Sequence, residues 1–261
     1  MPRPIVTLTT DFGLSDHFVG AMKGVILGIC PQAQIVDISH GVTPFAIPEG
    51  AYLVAQGYRC FPKKTVHVVV VDPGVGSARR AVVAEAAGQF FVAPDNGVLS
   101  IIYASERHRV RGLTNPRYFR QPVSQTFHGR DIFAPVAAHL AAGVSAARMG
   151  KPLRDYIQLE FAKPVRTGAR GWTGCVVHAD CFGNLITNFC ANDFPALADG
   201  AFSLVLGAHR VIRLSRNYAE SAPGELFVIA GSSGYLEVSV NQDSAARITG
   251  CAVGAKVELV T

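Results

Sequence analysis

HVVVVDPGVGSARR, residues 67–80, decides the fold. Four consecutive valines form a short apolar β-branched run, the pattern of a strand buried on both faces of a sheet. The run stops at Asp72-Pro73-Gly74. Pro73 cannot donate to a ladder and Gly74 tolerates positive φ, so the chain turns there. A carboxylate is thereby expected at the carboxyl end of a buried strand, where open α/β sheets place their ligands. Arg79 and Arg80 close the loop. The plain structural alternative is an aspartate that caps its own turn and pairs with an arginine at the surface.

Outward from this stretch the same grammar recurs. Ile5 to Thr9 is a short strand-like run ending in Thr10-Asp11-Phe12-Gly13, with Asp16 in the same loop. Phe18 to Cys30 has helical spacing of apolar residues and Pro31 lies just beyond. Gln34 to Ile38 reads as a second strand. The loop Ser39 to Phe45 leads to a helix over Pro48 to Tyr58, with proline in its first turn. Thr65 to Val71 is the third strand. Alternating strands and helices argue for βαβ units and a largely parallel sheet. Right-handed crossovers then put Asp11 and Asp72 on one edge. Further on, Ala81 to Ala93 reads as a hairpin about Ala87-Gly88, Val98 to Glu106 as helical, and residues 107–126 as polar and irregular. Asp131 is expected to cap a helix running to Ala142, which sets His128 just before a helix N-terminus.

From the AKPVRTGARG segment at 162–171, a linker by composition, the grammar changes. Short strand-like runs at 172–178, 185–187, 202–206, 211–214, 226–229, 235–240 and 256–260 are separated by turn residues without helical spacing. These predict an antiparallel β domain, sandwich or barrel. The expected organisation is an α/β N-terminal domain with a largely parallel sheet over residues 1–165 and an all-β antiparallel C-terminal domain over 166–261.

Composition narrows the classes. The 261 residues are 49% hydrophobic and 16% charged, which describes a globular chain with a sizeable core. No apolar run approaches the ~18 residues needed to span a bilayer, and the N-terminus shows no signal-peptide core, so a cytoplasmic location without a membrane partner is expected. The six cysteines, Cys30, Cys60, Cys175, Cys181, Cys190 and Cys251, form no CxxC pair, and buried free thiols are expected. The net charge of +5 is dispersed. Arg107, Arg109, Arg111, Arg117 and Arg120 form one loose cluster, which reads as a solvated face rather than a nucleic-acid stripe.

Six ordered motifs carry a resemblance over nearly the whole chain: TLTTDFG at 7–13, VDPGVGSARR at 71–80, APDNG at 93–97, TFHGRDIFAP at 126–135, FGNLITN at 182–188 and GYLEVSVN at 234–241. The chain resembles the S-adenosyl-L-methionine hydroxide adenosyltransferases, relatives of the fluorinating and chlorinating enzymes that act on the same substrate. The resemblance implies hydrolysis of S-adenosylmethionine to adenosine and L-methionine, without cofactor, in a homotrimer with substrate between subunits. It implies a catalytic set of Asp72, Arg79 and His128. For substrate it implies Asp11 at the ribose, Asp16 at the methionine moiety, Phe182 and Asn184 at the adenosine, Asp180 beside them, Ser232 and Ser233 near the methionine carboxylate, and Glu237 and Val240 along the adenine. Phe45 falls where a halogenating relative has tryptophan over the nucleoside. The halogenating enzymes replace the Asp-Pro-Gly loop with small hydroxylated and aromatic residues and carry an insertion soon after it. This chain keeps Asp72 and Arg79 and has only a short hairpin at 81–93, so water is the expected nucleophile.

The chemistry asks for such residues. A sulfonium leaves readily, so the task is to aim water in line with the C5′–S bond, which is worth on the order of 7–11 kcal/mol. Asp72 can hold that water while Arg79 grips Asp72 through a forked contact. As the bond forms the water becomes strongly acidic, and an ordinary carboxylate, about 3.9 in reference peptides, can take its proton. His128 can relay that proton or act as the base; both roles stay open. Two rival readings are a non-catalytic nucleoside-binding module and a metal-dependent hydrolase using Asp11, Asp16, Asp72, His128 and Asp131, whose spacings match no metal motif.

Overall fold

A computed structural model describes residues 3–195, 197 and 202–261. The chain forms two compact units, Met1–Glu160 and Phe161–Thr261.

The first unit is built on a seven-stranded sheet. Its strands are β1 (Ile5–Thr10), β2 (Gln34–Ser39), β3 (Val66–Val70), β4 (Ala81–Ala86), β5 (Gln89–Pro94), β6 (His108–Gly112) and β7 (Pro152–Leu153), in the order β2-β1-β3-β5-β4-β6-β7. The pairs from β2 through β1 and β3 to β5 are parallel. The pairs from β5 onward, through β4 and β6 to β7, are antiparallel. The helices are α1 (Phe18–Ile29), α2 (Ile47–Gly57), α3 (Ser100–Ser105) and α4 (Ala134–Ala141).

The valine run explains the layering. Val66, Val68 and Val70 pack with Met22 and Ile26 of α1 and Val136 and Leu140 of α4. Val69 and Val71 pack with Val54 of α2 and Leu99 and Ile102 by α3. A strand covered on both faces has no polar face to present, hence four valines in a row. The β4–β5 hairpin turns at Ala87 (φ 53°) and Gly88 (φ 74°), two left-handed residues as the favoured two-residue hairpin requires.

Two expectations in this unit are corrected. Residues 107–126 are not all irregular, because β6 pairs with β4. Only Val110 and Gly112 of β6 are buried, and its basic side chains disguise the period of two. Asp131 is not an N-cap. It lies inside a π-helical turn, Gly129–Phe133, that feeds α4, and its carboxylate is fully buried.

The second unit holds β8 (Val165–Arg166), β9 (Gly171–Ala179), β10 (Leu185–Cys190), β11 (Ser203–Leu206), β12 (His209–Val211), β13 (Leu214–Ser215), β14 (Leu226–Ala230), β15 (Tyr235–Val240) and β16 (Lys256–Val260), with one short helix, α5 (Ala245–Thr249). The sheet runs β12-β11-β16-β9-β10-β15-β14-β13, with β8 against β9. The first half of β9 pairs with β16 and its second half with β10. One apolar cluster, including Leu204, Val211, Val176, Leu185, Val228 and Val238, takes side chains from β12 round to β14, so the sheet curls about a single core. The expected strictly antiparallel, all-β character is modified at two places: β13 and β14 are parallel, and α5 interrupts the strands. Part of the compositional linker is also strand, since Val165 pairs with Thr173. The six thiols are free as expected, but only Cys30 is buried; Cys60 and Cys181 are exposed.

Candidate active site

Parallel pairing of Thr10 with Val70 brings the ends of β1 and β3 side by side. Asp11 and Asp72 follow those strands on the same sheet edge. Burial raises the Asp11 carboxyl above its usual range, the Phe45 N–H opposes that, and the negative charge of Asp72 adds to it. Phe45 N donates to Asp11 Oδ2 at 2.9 Å. Phe45 itself has φ 71°, a left-handed conformation costly for an aromatic residue, and its side chain is 70% exposed. Strain of this kind persists where the surroundings enforce it, often at ligand sites. Asp16 lies exposed in the loop before α1.

Arg79 grips Asp72 with both arms of its fork. Nε donates to Oδ1 at 2.9 Å and Nη2 donates to Oδ2. The Asp72 side chain is 5% exposed and that of Arg79 10%. The guanidinium also lies over the Phe133 ring, 5.3 Å from its centroid. On its far side Nη2 approaches His128 Nδ1 at 2.7 Å. An arginine only donates, so Nδ1 must accept. A neutral ring that accepts at Nδ1 carries its proton on Nε2. Burial, and then the Arg79 charge, hold His128 below its usual 6.5. His128 is therefore a neutral imidazole of fixed tautomer, its Nδ1 engaged by Arg79.

The loop that bears Asp72 and Arg79 is held at both roots by APDNG. Asn96 Nδ2 donates to Val71 O at 2.8 Å. At the other root Asp95 N donates to Arg80 O at 2.9 Å and Arg80 Nε donates to Asp95 Oδ2 at 2.8 Å. At the tip, Gly76 (φ 78°) passes so near Gln125 that an added Cβ would lie 2.2 Å from its carbonyl oxygen, so only glycine fits.

In the second unit the β9–β10 turn is organised by Asp180. Its Oδ1 accepts from Phe182 N at 3.0 Å and Asn184 N at 2.8 Å, and its Oδ2 from Asn184 Nδ2 at 2.8 Å. Gly183 (φ 81°) abuts Ser244, where a Cβ would come within 2.0 Å of Oγ. This turn buries Asn184 and leaves Phe182 73% exposed at the tip. Glu237 of β15 is buried, and burial first, then the Asp180 charge, raise its carboxyl above the usual range. Ser233 Oγ lies 3.5 Å from Glu237 Oε1, and Ser232 is exposed next to it.

The structure thus gathers Asp11, Phe45, Asp72, Arg79 and His128 at one sheet edge, and Asp180, Asn184, Ser233 and Glu237 about one turn. Val240 is different: its side chain lies in the apolar core with Val238, an even-numbered face opposite Glu237. Several neighbours had no assigned role in the sequence reading, and Asp131 had entered it only as a helix cap and as a ligand in the rival metal-dependent reading. Phe133 lies under Arg79, Asp131 holds Ser124 in the loop before His128, Asp95 and Asn96 hold the loop that bears Asp72, and burial, then the Glu237 charge, raise the Tyr218 hydroxyl. APDNG and HGRD marked their places as motifs, but Tyr218 carried no signal. Among the described residues no three His, Cys, Asp or Glu side chains converge as a metal cage.

Carboxylates at the open edge of an α/β sheet, one of them braced by an arginine beside a neutral histidine, are an arrangement chemically suited to a small polar reactant. The chain belongs to the SAM hydroxide adenosyltransferase family: its N-terminal domain model matches residues 6–150 and its C-terminal domain model residues 174–258. The (R)-S-adenosyl-L-methionine hydrolase of Salinispora tropica is 38% identical over 99% of this chain and 98% of that protein. The fluorinase of Nocardia brasiliensis is 28% identical over 98% of this chain and 97% of that protein. The crystal structure of an uncharacterized conserved protein from Thermotoga maritima superposes with a TM-score of 0.92 at 37% identity, over 98% of this chain and 100% of that one.

Proposed function

We propose that this protein hydrolyses S-adenosyl-L-methionine, in the R configuration at sulfur named in its relatives, to adenosine and L-methionine. Water attacks C5′, the C5′–O bond forms as the C5′–S bond breaks, and the electron pair of the broken bond returns to sulfur as the thioether of methionine. The observation that carries this reading is the forked Arg79–Asp72 pair beside His128. Arg79 occupies one acceptor position on each Asp72 oxygen, which leaves the others to receive a hydrogen bond from water. The proton lost by the attacking water passes to Asp72 and then to solvent. His128 does not take it, because Nδ1 faces Arg79 and Nε2 is protonated. A carboxylate also disfavours halide at this place, which fits hydrolysis rather than halogenation.

In this reading Asp11 binds the ribose hydroxyls and Asp16 the methionine amino group. Phe182, Asn184, Asp180, Glu237 and the β15 main chain at Val240 serve the adenosine, Ser232 and Ser233 the methionine carboxylate, and Phe45 covers the nucleoside. The enzyme works as a cytoplasmic homotrimer, with substrate between subunits and with neither metal nor organic cofactor. The exposed Phe45 and Phe182, together with Leu14 at 75% exposure, support burial by another copy. No helix of the described residues is long and apolar enough to cross a membrane. The test is direct incubation with each sulfonium epimer, with and without chelator, read as adenosine and methionine; absence of both products would refute the assignment. Light scattering at a mass other than three times 27.7 kDa would refute the trimer.

A further inference from the structure

His40 is a buried histidine beside the Asp11 loop, and the proposed chemistry gives it no task. It follows β2 as Asp11 follows β1, two parallel strands that end together with Thr9 opposite Ser39. Its side chain is 4% exposed. On one side its Nδ1 lies 2.8 Å from Oγ1 of the fully buried Thr10. On the other its Nε2 lies 3.1 Å from Asp37 Oδ1, within ion-pair reach though off the line of a hydrogen bond. Lys23 Nζ donates to Asp37 Oδ2 at 2.6 Å. The ring is thus held between a buried hydroxyl and a carboxylate that a lysine braces. A side chain needed only to fill this space would be apolar, because burying a polar ring is costly.

The Thr10 side of the ring leads to Asp11. Thr10 Oγ1 accepts from Phe12 N at 3.3 Å, and the His40 carbonyl accepts from Gly13 N at 2.8 Å. One residue thereby holds the main chain on both sides of Asp11, through its ring at Thr10 and through its carbonyl at Gly13. The loop that begins at His40 closes on the same carboxylate. Val42 N donates to Thr10 O at 3.4 Å, and farther along Phe45 N donates to Asp11 Oδ2 at 2.9 Å. Asp11 therefore sits where two loops cross, and His40 ties the crossing together.

We propose that His40 is a positioning residue: through Thr10 and Gly13 it holds the Asp11 carboxylate in the orientation that grips the two ribose hydroxyls. The proposal deepens the hydrolase reading and rests on its assignment of Asp11 to the ribose.

The experiment is calorimetric titration of the full-length protein with adenosine and with 2′,3′-dideoxyadenosine, which lacks both ribose hydroxyls. The wild type is expected to bind adenosine roughly tenfold or more tightly than the dideoxy nucleoside, the scale of a hydrogen bond to a charged group. His40→Leu removes both ring nitrogens. It is expected to weaken adenosine about tenfold and to leave the dideoxy nucleoside within about twofold. His40→Asn can present an amide oxygen to Thr10 in place of Nδ1 and is expected to recover part of the preference. Should His40→Leu not fold, Thr10→Val removes the hydroxyl at nearly constant shape and is expected to reduce the preference in the same way. A folded variant of either kind that keeps the wild-type preference, or that loses both nucleosides equally, overturns the proposal and leaves the hydrolase reading standing. A wild type that binds the two nucleosides equally removes Asp11 from the ribose, and the positioning role with it.

Discussion

His128 Nδ1 lies 2.7 Å from Arg79 Nη2 and therefore receives a hydrogen bond from it. That one contact ranks the two candidate proton acceptors. A ring nitrogen facing a permanent cation cannot gain a proton without like-charge repulsion, whereas Asp72 keeps unused lone pairs.

Variants should follow this ranking. Asp72→Asn is expected to lower kcat by about 10²–10⁴, the range for loss of a positioned base, with little change in KM. His128→Gln can still accept from Arg79 through its side-chain oxygen, so it should lose clearly less than Asp72→Asn. Steady-state kinetics of the two variants check the order. Equal or inverted losses would make His128 the base.

A second histidine sets the acid limit of the fold. His67 on β3 is fully buried; its Nδ1 lies 2.7 Å from Thr7 Oγ1 and its Nε2 3.3 Å from Gln89 Oε1. Burial lowers it to about 4, against 6.5 when free, despite the support of Gln89. Between those values the unfolded chain binds the extra proton, so stability falls as pH drops through that window. At about 1.4 kcal/mol per pH unit, the loss is on the order of 3 kcal/mol. Denaturant unfolding at pH 7 and pH 4.5 should show a smaller acid loss in His67→Gln than in the wild type. Identical losses would mean that the buried ring is not the titrating group.

Phe45 offers a test of strain against binding. At φ 71° a Cβ is unfavourable, so Phe45→Gly should be more stable than Phe45→Ala by roughly 1 kcal/mol. Both variants should raise KM for substrate if the ring covers the nucleoside. Thermal unfolding reads the first effect and kinetics the second; Ala as stable as Gly would contradict the strain.

The parts of the fold legible from residues alone were those with one dominant signal. The valines of β3 had to be covered on two faces, and the turn residues after them had to release Asp72 at a sheet edge. The short runs from Gly171 onward were separated by turn residues frequent enough to outline most strands. Elsewhere tertiary context overrode the local pattern. The three basic residues of β6 hid a strand whose inward positions are Val110 and Gly112. Asp131 had the look of a helix cap, but three residues far apart in function, Arg120, Ser124 and Arg130, converge on it. Val240 carries a motif position, yet strand alternation turns its side chain into the core. In the candidate site, Asp72 and Arg79 could be paired by loop logic. The contact that decides between His128 and Asp72 spans 49 residues and had no local sign.

The central claim is that Asp72, braced by Arg79, directs solvent onto C5′ of a sulfonium nucleoside. Turnover in ¹⁸O-water followed by mass spectrometry of the adenosine tests it most directly. The mechanism predicts one solvent oxygen, located at the 5′ hydroxyl and present after a single turnover. Adenosine released without solvent oxygen at that position would contradict it.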